Sequence, residues 1–341
     1  MRIAIVTDAW APQVNGVVRT LQSTRRQLVA MGHQVAIFSP DQFRSVPCPT
    51  YSEIRLALVT ARMLGKRIAQ FAPDAIHIAT EGPLGFTARR WCLREGLQFT
   101  TAYHTHFPDY VARRTGVRPE WIWKLMRHFH ARSSGVMTTT ETMRALLRSH
   151  GITNLRHWGR GVDLDAFSPD KPAPALYASL TRPIQLYVGR VAVEKNIEGF
   201  LKTGHPGSKV VVGDGPARGE LEQTYPEAHF IGMLSGDALA GAYAGADVFV
   251  FPSRTDTFGL VIIEALASGT PVAAYPVAGP IDICTDRVAC LDDDLDRAIA
   301  QALTRRPEDC LALARHYSWR RSAEQFLDAL VDSAEDAPLA A

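Results

Sequence analysis

The chain has 341 residues, 46% of them hydrophobic, and a formal net charge of only +2. That length suits two ordinary domains better than one core, and no run of eighteen apolar residues offers a membrane-spanning helix. Its five cysteines, Cys48, Cys92, Cys284, Cys290 and Cys310, are odd in number and form no Cys-x-x-Cys pair, which argues against a disulfide framework or zinc site and for free thiols in a reducing cytoplasm.

The chain opens on an apolar run over 2–7 that reads as a strand ending in a polar turn, without the long apolar stretch of a secretory leader. A helix over 16–31 follows, then a strand over 34–39. A helix over 61–71, a strand over 75–79 and a helix over 83–95 continue the pattern. Strands over 99–104 and 136–140 close the first half. Pro169, Pro172 and Pro174 read as a linker. The second half repeats the style, with strands over 184–188, 209–212, 229–231, 248–251 and 271–274 and helices between them. Apolar strands alternating with helices mean a parallel sheet covered on both faces, once in each half. In such sheets ligands sit at the carboxyl ends of the strands.

The small net charge hides an uneven distribution. Residues 1–160 carry 22 Lys and Arg against 9 Asp and Glu, and residues 161–341 carry 15 against 26, so the halves stand at +13 and −11. A basic first half suits an anionic partner, whether nucleic acid, anionic lipid or phosphorylated substrate; a plain solubility pattern is the competing reading.

Four motifs follow strand ends. Pro12-Gln13-Val14-Asn15-Gly16 opens the first helix. Asn-Gly permits unusual backbone angles, and a helix N-terminus attracts phosphate; a plain strand-to-helix turn fits equally well. Gly189-Arg190 and Lys195 follow the first strand of the second half. Two cations five residues apart can neutralise a departing diphosphate without a metal, although surface cations are usually just solvated. Gly213-Asp214-Gly215-Pro216 ends a strand in a glycine turn, which requires only that backbone approach a ligand or other backbone closely. The longest motif runs from Pro252 to Val272. A helix starts near Phe258-Gly259-Leu260, and its free amides can hold phosphate. Asp256 precedes that helix and Glu264 lies within it; carboxylates there can accept hydrogen bonds from sugar and ribose hydroxyls. The alternatives are a helix-capping charge for Asp256 and a solvated residue for Glu264. The apolar neighbours Val261, Ile262, Ile263, Ala265, Leu266 and Ala267 weaken the second.

The stretch from Pro119 to Arg132 reads as a basic amphipathic helix. At about 100° per residue, Trp121, Ile122, Leu125, Met126 and Phe129 share one arc. Lys124, Arg127, His128 and His130 lie largely opposite, with Trp123 among them. Trp121, Trp123, Lys124 and Arg127 are thus candidates for contact with a lipid interface; a helix packed into the core is the alternative. His106, His128 and His130 have no carboxylate or cysteine at ligand spacing, so no metal site is expected.

Together these features resemble glycosyltransferase family 4, the retaining GT-B transferases, nearly end to end. The resemblance rests on Asn15-Gly16, Gly-Arg-x4-Lys at 189–195, Gly-Asp-Gly-Pro at 213–216, Ala-Asp-Val-Phe-Val-Phe-Pro-Ser at 246–253 and carboxylate-x7-Glu at 256–264. Two departures are Asp256 in place of the usual Glu and Asn15-Gly16 in place of Gly-Gly. With Thr-Asp-Thr-Phe-Gly at 255–259 and Trp-Gly-Arg-Gly-Val-Asp at 158–163, they resemble one branch, that of sulfoquinovosyl-diacylglycerol synthases and bacterial lipid mannosyl- and glucuronosyltransferases.

The resemblance implies an α/β chain of GT-B fold, two Rossmann-like doubly wound domains facing across a cleft. An acceptor-binding domain would span 1–166 and a donor-binding domain 175–315, with a helix over 316–333 returning toward the first. It implies that Arg190 and Lys195 hold the diphosphate and Glu264 the ribose. Backbone at Asn15-Gly16 and from Phe258 through Gly259 to Leu260 would face the donor, and backbone near Gly232-Met233 the base. His104 would touch the donor sugar, and Asp256 would meet its hydroxyls. The expected reaction moves a hexosyl group, with retention, from a UDP- or GDP-sugar to a lipid acceptor of diacylglycerol, ceramide or glycolipid type. No metal cofactor and no nucleic-acid partner are expected. The expected location is cytoplasmic, peripheral on the inner face of the cytoplasmic membrane. A soluble acceptor is the nearest alternative. An epimerase of the same architecture would convert donor with no acceptor present. A non-enzymatic basic binding protein leaves Arg190, Lys195 and Glu264 unexplained.

Overall fold

The computed structural model describes residues 1–13, 15–48, 51–104 and 117–331, without the side chains of 51–54. The chain divides into two compact units, Met1–Arg160 together with the chain from Trp319 onward, and Gly161–Ser318.

The first unit contains β1 (Arg2–Val6), β2 (Gln34–Phe38), β3 (Ser45–Cys48), β4 (Tyr51–Ala57), β5 (Ala75–Ile78), β6 (Thr100–Ala102), β7 (Gly135–Thr138) and β8 (Leu155–His157). Six of these form a parallel sheet in the order β2-β1-β5-β6-β7-β8, while β3 and β4 pair antiparallel apart from it. β1 shows why the sheet is covered on both faces. Its side chains alternate between faces: Ile3 and Ile5 pack with Leu21, Leu28 and Phe326, and Ala4 and Val6 with Leu64, Ile68 and Leu84. Burying a Leu, Ile or Phe of this kind is worth roughly 1.5–3 kcal/mol. Helices Gly16–Ala30 and Trp319–Val331 therefore cover one face, and Ala61–Phe71 and Pro83–Arg94 the other.

The second unit contains β9 (Ile184–Val188), β10 (Ser208–Val212), β11 (His229–Gly232), β12 (Val248–Phe251), β13 (Val272–Ala274) and β14 (Ala289–Leu291). All six are parallel, in the order β11-β10-β9-β12-β13-β14. Two apolar clusters cover its faces. One holds Leu186, Val210, Phe249 and Phe251 against Ile262, Ile263 and Leu266; the other holds Tyr187, Val211 and Val248 against Phe200, Leu295 and Ile299.

The strand order fixes where ligands can be met. In the first sheet the chain leaves β1 to one side for β2 and later returns to its other side for β5. In the second it runs β9, β10, β11 outward and then places β12 on the opposite side of β9. Each reversal opens a crevice at the carboxyl ends of the two strands involved. The strands expected from apolar runs appear within two residues of their predicted ends, whereas β3, β4, β8 and β14 were not anticipated. Among the described residues no helix is long and apolar enough to cross a membrane.

Candidate active site

The crevice of the second unit lies past β9 and β12, and two of the sequence motifs follow those strands. β9 ends at Val188 and continues into Gly189 and Arg190. A short 3-10 turn, Val193–Lys195, then carries the lysine. β12 ends at Phe251 and its loop carries Asp256. Lys195 Nζ and Asp256 Oδ1 meet at 2.5 Å, although 61 residues separate them. Neither is deeply buried, with side chains 26% and 24% exposed, so the pair stays open to a ligand. Arg190 is exposed, and its carbonyl accepts the Tyr187 hydroxyl at 2.9 Å.

Beyond Asp256 the loop turns into the helix Leu260–Ala267. Its N-cap is Gly259 at φ +91°, a left-handed conformation that favours glycine. Phe258 is buried, and Leu260 packs against the core of this unit. The first turn of any helix presents amides without an intrahelical acceptor, so this helix start offers donors at the crevice. Glu264 is 2% exposed, and its Oε2 accepts the buried Tyr243 hydroxyl at 3.0 Å. A solvated helix residue is thus overturned; the carboxylate is held in the interior by a partner that the sequence did not suggest. Met233, one residue past β11, is 67% exposed.

The glycine turn at 213–216 resolves toward backbone meeting backbone. A Cβ on Gly213 would lie 1.8 Å from the Gly189 carbonyl oxygen. The motif therefore seats the end of β10 against the start of the Arg190 loop.

In the first unit, Asn15 caps the helix Gly16–Ala30, its Oδ1 accepting the amides of Val17 and Val18 at 3.1 and 3.0 Å. Gly16 is already part of the helix, so the unusual backbone expected of Asn-Gly is not used there. Asp8, just past β1, went unnoticed in the sequence. Its carboxylate accepts the amides of Leu84 and Gly85 at 2.8 and 3.1 Å and the Thr80 hydroxyl at 2.9 Å. It thereby anchors the start of the Pro83–Arg94 helix beside the first crevice. Burial pushes this carboxyl above its ordinary range, against the pull of the two amides.

His104 follows β6 by two residues and is buried. Its Nδ1 lies 2.9 Å from Nη2 of Arg160, which is buried too. Burial, then the charge of Arg160, then His77 hold His104 well below the usual imidazole range. Arg160 belongs to the Trp-Gly-Arg-Gly run, which the sequence marked only as a branch feature. The signal was its place just past a strand, and β8 was too short to be recognised. His106 lies outside the described residues.

The helix Pro119–His130 turns differently from the expected arc. Ile122, Trp123, Met126, Phe129 and His130 are buried. Trp123 stacks on His150 with ring centroids 3.7 Å apart, and more loosely on Tyr103. It is therefore not a lipid contact, because the flat aromatic surface beside it lies inside the unit. His130, placed by the periodicity on the polar side, is also buried, 2.8 Å from the Thr101 hydroxyl. The exposed strip combines Trp121, Lys124, Leu125, Arg127 and His128. Trp121 is 63% exposed, with the Lys124 ammonium 5.5 Å from its ring centre.

Residues 14–166 match the profile of Glycosyltransferase Family 4, and residues 182–309 that of Glycosyl transferases group 1. The chain is 32% identical over 333 residues to a GDP-mannose-dependent alpha-mannosyltransferase of Mycolicibacterium smegmatis, covering 89% of this chain and 88% of the relative. It is 33% identical over 300 residues to a sulfoquinovosyl transferase of Arabidopsis thaliana, covering 79% of this chain and 58% of the relative. An alpha-monoglucosyldiacylglycerol synthase of Streptococcus pneumoniae is 27% identical over 384 residues, covering 98% of this chain and 87% of the relative. Among solved structures, sucrose-phosphate synthase from Thermosynechococcus elongatus aligns with a TM-score of 0.75 at 24% identity, over 96% of this chain and 97% of that one. WaaG, a glycosyltransferase involved in lipopolysaccharide biosynthesis, aligns with a TM-score of 0.69 at 16% identity, over 96% and 99%. The fold is GT-B.

Proposed function

The chain belongs to glycosyltransferase family 4 and is a glycosyltransferase; from that premise we propose that it moves a hexosyl group, with retention and without a metal, from a nucleoside diphosphate sugar to a lipid acceptor. The observation that carries the donor half of this reading is the Lys195–Asp256 pair at the β9/β12 crevice. Breaking the glycosyl–phosphate bond leaves a diphosphate that gains negative charge. A fixed ammonium, with Arg190 on the same loop, stabilises that charge as it develops. Asp256 orients the ammonium and faces the hydroxyls of the sugar. The amides from Phe258 to Leu260 and at Gly16 face the phosphates, Glu264 the ribose and the backbone at Met233 the base. His104 meets the donor sugar, and the departing phosphate takes the acceptor's proton on the same face.

This reading is tested by incubating the protein with UDP- and GDP-hexoses and a diacylglycerol-type acceptor in the presence of EDTA. Transfer is expected to continue under chelation, and NMR of the first-formed product is expected to show the α-linkage of an α-donor kept. Activity lost to EDTA and restored by magnesium would refute metal independence; a β-linkage would refute retention. Donor converted to an isomeric nucleotide sugar with no acceptor present would indicate an epimerase instead.

The lipid acceptor is supported by the glycolipid named for the streptococcal relative, by the +13 charge of residues 1–160 and by the exposed Trp121, Leu125, Lys124 and Arg127 strip. A cavity of about 460 Å³ nearby, lined by Phe86, Arg89, Arg90, Leu93, Arg94 and His128, adds cations beside apolar surface. Such a face suits an anionic bilayer, where each basic side chain contributes about 1 kcal/mol and the attraction fades with salt. The protein is expected to co-sediment with phosphatidylglycerol vesicles at low salt and to release at high salt. Lys124→Glu with Arg127→Glu should weaken that binding by more than about 2 kcal/mol, over roughly thirtyfold, since two attractions are lost and two repulsions added, and leave nucleotide affinity unchanged. A protein that ignores the vesicles and glycosylates only soluble sugars would remove the lipid acceptor and leave the transferase.

A further inference from the structure

Arg160 is a buried guanidinium with an unusual set of partners. Its Nη1 donates to the carbonyls of Trp158 and Gly159 at 2.9 and 3.0 Å, and its Nη2 reaches His104 Nδ1 at 2.9 Å. Its charge lies 4.7 Å from the centre of the Trp158 ring. Among the described residues no carboxylate pairs with it. Burial alone pulls its pKa down to about 9, so it is still a cation at neutral pH.

The position of Arg160 is fixed from both sides. The Trp158 amide bonds to the Thr138 carbonyl at the end of β7. Gly159 is held by the terminal helix: its amide donates to Gln325 Oε1 and its carbonyl accepts the Ser322 hydroxyl, each at 2.9 Å. The Trp158 ring in turn lies edge-on to His104, with centroids 5.4 Å apart.

A guanidinium carries five N–H donors and no acceptor. The atom it meets must therefore present a lone pair, so Nδ1 of His104 carries no proton. A neutral imidazole has one proton, and it is then on Nε2. We infer that Arg160 is a positioning residue that locks His104 in the neutral Nε2–H tautomer, so that His104 can donate a hydrogen bond to bound sugar but cannot act as a general base. The inference rests on His104 facing the donor sugar, as proposed above. It explains why a buried cation, with no carboxylate partner among the described residues, is kept behind that histidine. It also leaves the acceptor's proton to the departing phosphate, since the imidazole has no free lone pair on the side away from Arg160.

The test is nitrogen NMR of the full chain, with 15N-labelled histidine, at pH 7 and without substrate. The His104 signals are assigned by their loss in His104→Gln. One protonated nitrogen, Nε2, with Nδ1 bare, is the expected pattern. Arg160→Gln is expected to release the lock, so that Nδ1–H or the imidazolium appears. Its kcat should fall by roughly 10–100-fold, by analogy with loss of the partner that orients a metal-bound histidine, with little change in KM for the donor. Arg160→Lys, which keeps a cationic donor, should recover part of the lost turnover. A wild-type His104 protonated on Nδ1, or on both nitrogens, overturns the inference whether or not any variant folds. So does an Arg160→Gln variant with parental kcat. Because the NMR pattern is read without substrate, a protein that transfers no sugar refutes the proposed function and leaves this assignment standing.

Discussion

Replacing Lys195 by alanine is expected to lower turnover about 10²–10³-fold, a loss of roughly 2.7–4 kcal/mol of transition-state stabilisation, by analogy with deleting one oxyanion donor. The fold should hardly notice. Lys195 sits on a three-residue 3-10 turn in which no residue is buried, and among the described residues it makes one ion pair, with Asp256, both side chains about a quarter exposed. Pairs of that exposure contribute about 0–1 kcal/mol to folding, so the unfolding midpoint should move by no more than about 4 °C. The asymmetry follows from where the charge is used. In the resting protein solvent and Asp256 share it. In the proposed reaction it would face a diphosphate gaining charge, where a preoriented cation is worth far more than in bulk water. The check is kcat with saturating donor alongside thermal unfolding. A variant within a few-fold of parental turnover would remove Lys195 from the chemistry.

Gly213→Ala is expected to do the opposite, damaging the fold first. Gly213 has φ +140°, where a side chain is strained, and its added Cβ would lie 1.8 Å from the Gly189 carbonyl oxygen. Neither partner can step aside cheaply. The Gly189 amide is bonded to the Val212 carbonyl at 2.9 Å, and the Gly213 amide to the Gly232 carbonyl at 2.8 Å. Overpacking and backbone strain each cost about 1–3 kcal/mol, so about 4 kcal/mol is expected in total. For a unit of this size that is a drop of roughly 10–15 °C in the midpoint. Gly219→Ala is the control: it lies in the helix Arg218–Thr224, and a Cβ there meets nothing within 4 Å. It should be neutral or stabilising by up to about 1 kcal/mol. Equal midpoints for the two variants would mean that β10 and the Arg190 loop can separate more easily than their geometry implies.

The two substitutions also show how far each motif could be interpreted before the fold was known. The glycine turn at 213–216 was compatible with a ligand or with other backbone, because glycine reports only that something comes close. The structure supplies the something, a carbonyl of the neighbouring strand's exit loop. Glu264 was legible as unusual because its neighbours are apolar, but its partner Tyr243 lies on a helix with no local link to it. Trp123 was misplaced because periodicity defines an arc on a helix and not the surface that arc will meet. The stacked rings of His150 and Tyr103 decided the matter.

Local apolar runs were enough to find the strands buried on both faces, β1, β9 and β12 among them, since doubly covered strands are apolar at nearly every position; buried Gln185 in β9 is an exception. The sequence by itself determined the two-domain α/β class, and its motifs carried the family. It did not reveal β8 or β14, which are three residues long and lie at sheet edges, too short for an apolar run to stand out. Tertiary structure alone decided that β12 lies beside β9, which brings Asp256 to Lys195 across 61 residues. It alone decided that β6 and the chain beyond β8 bring Arg160 to His104 across 56 residues. Side-chain period comes from the covalent geometry of a few neighbouring residues, so it can be read locally. Strand order comes from how whole helices and strands bury one another, and the residues that settle it lie far apart along the chain.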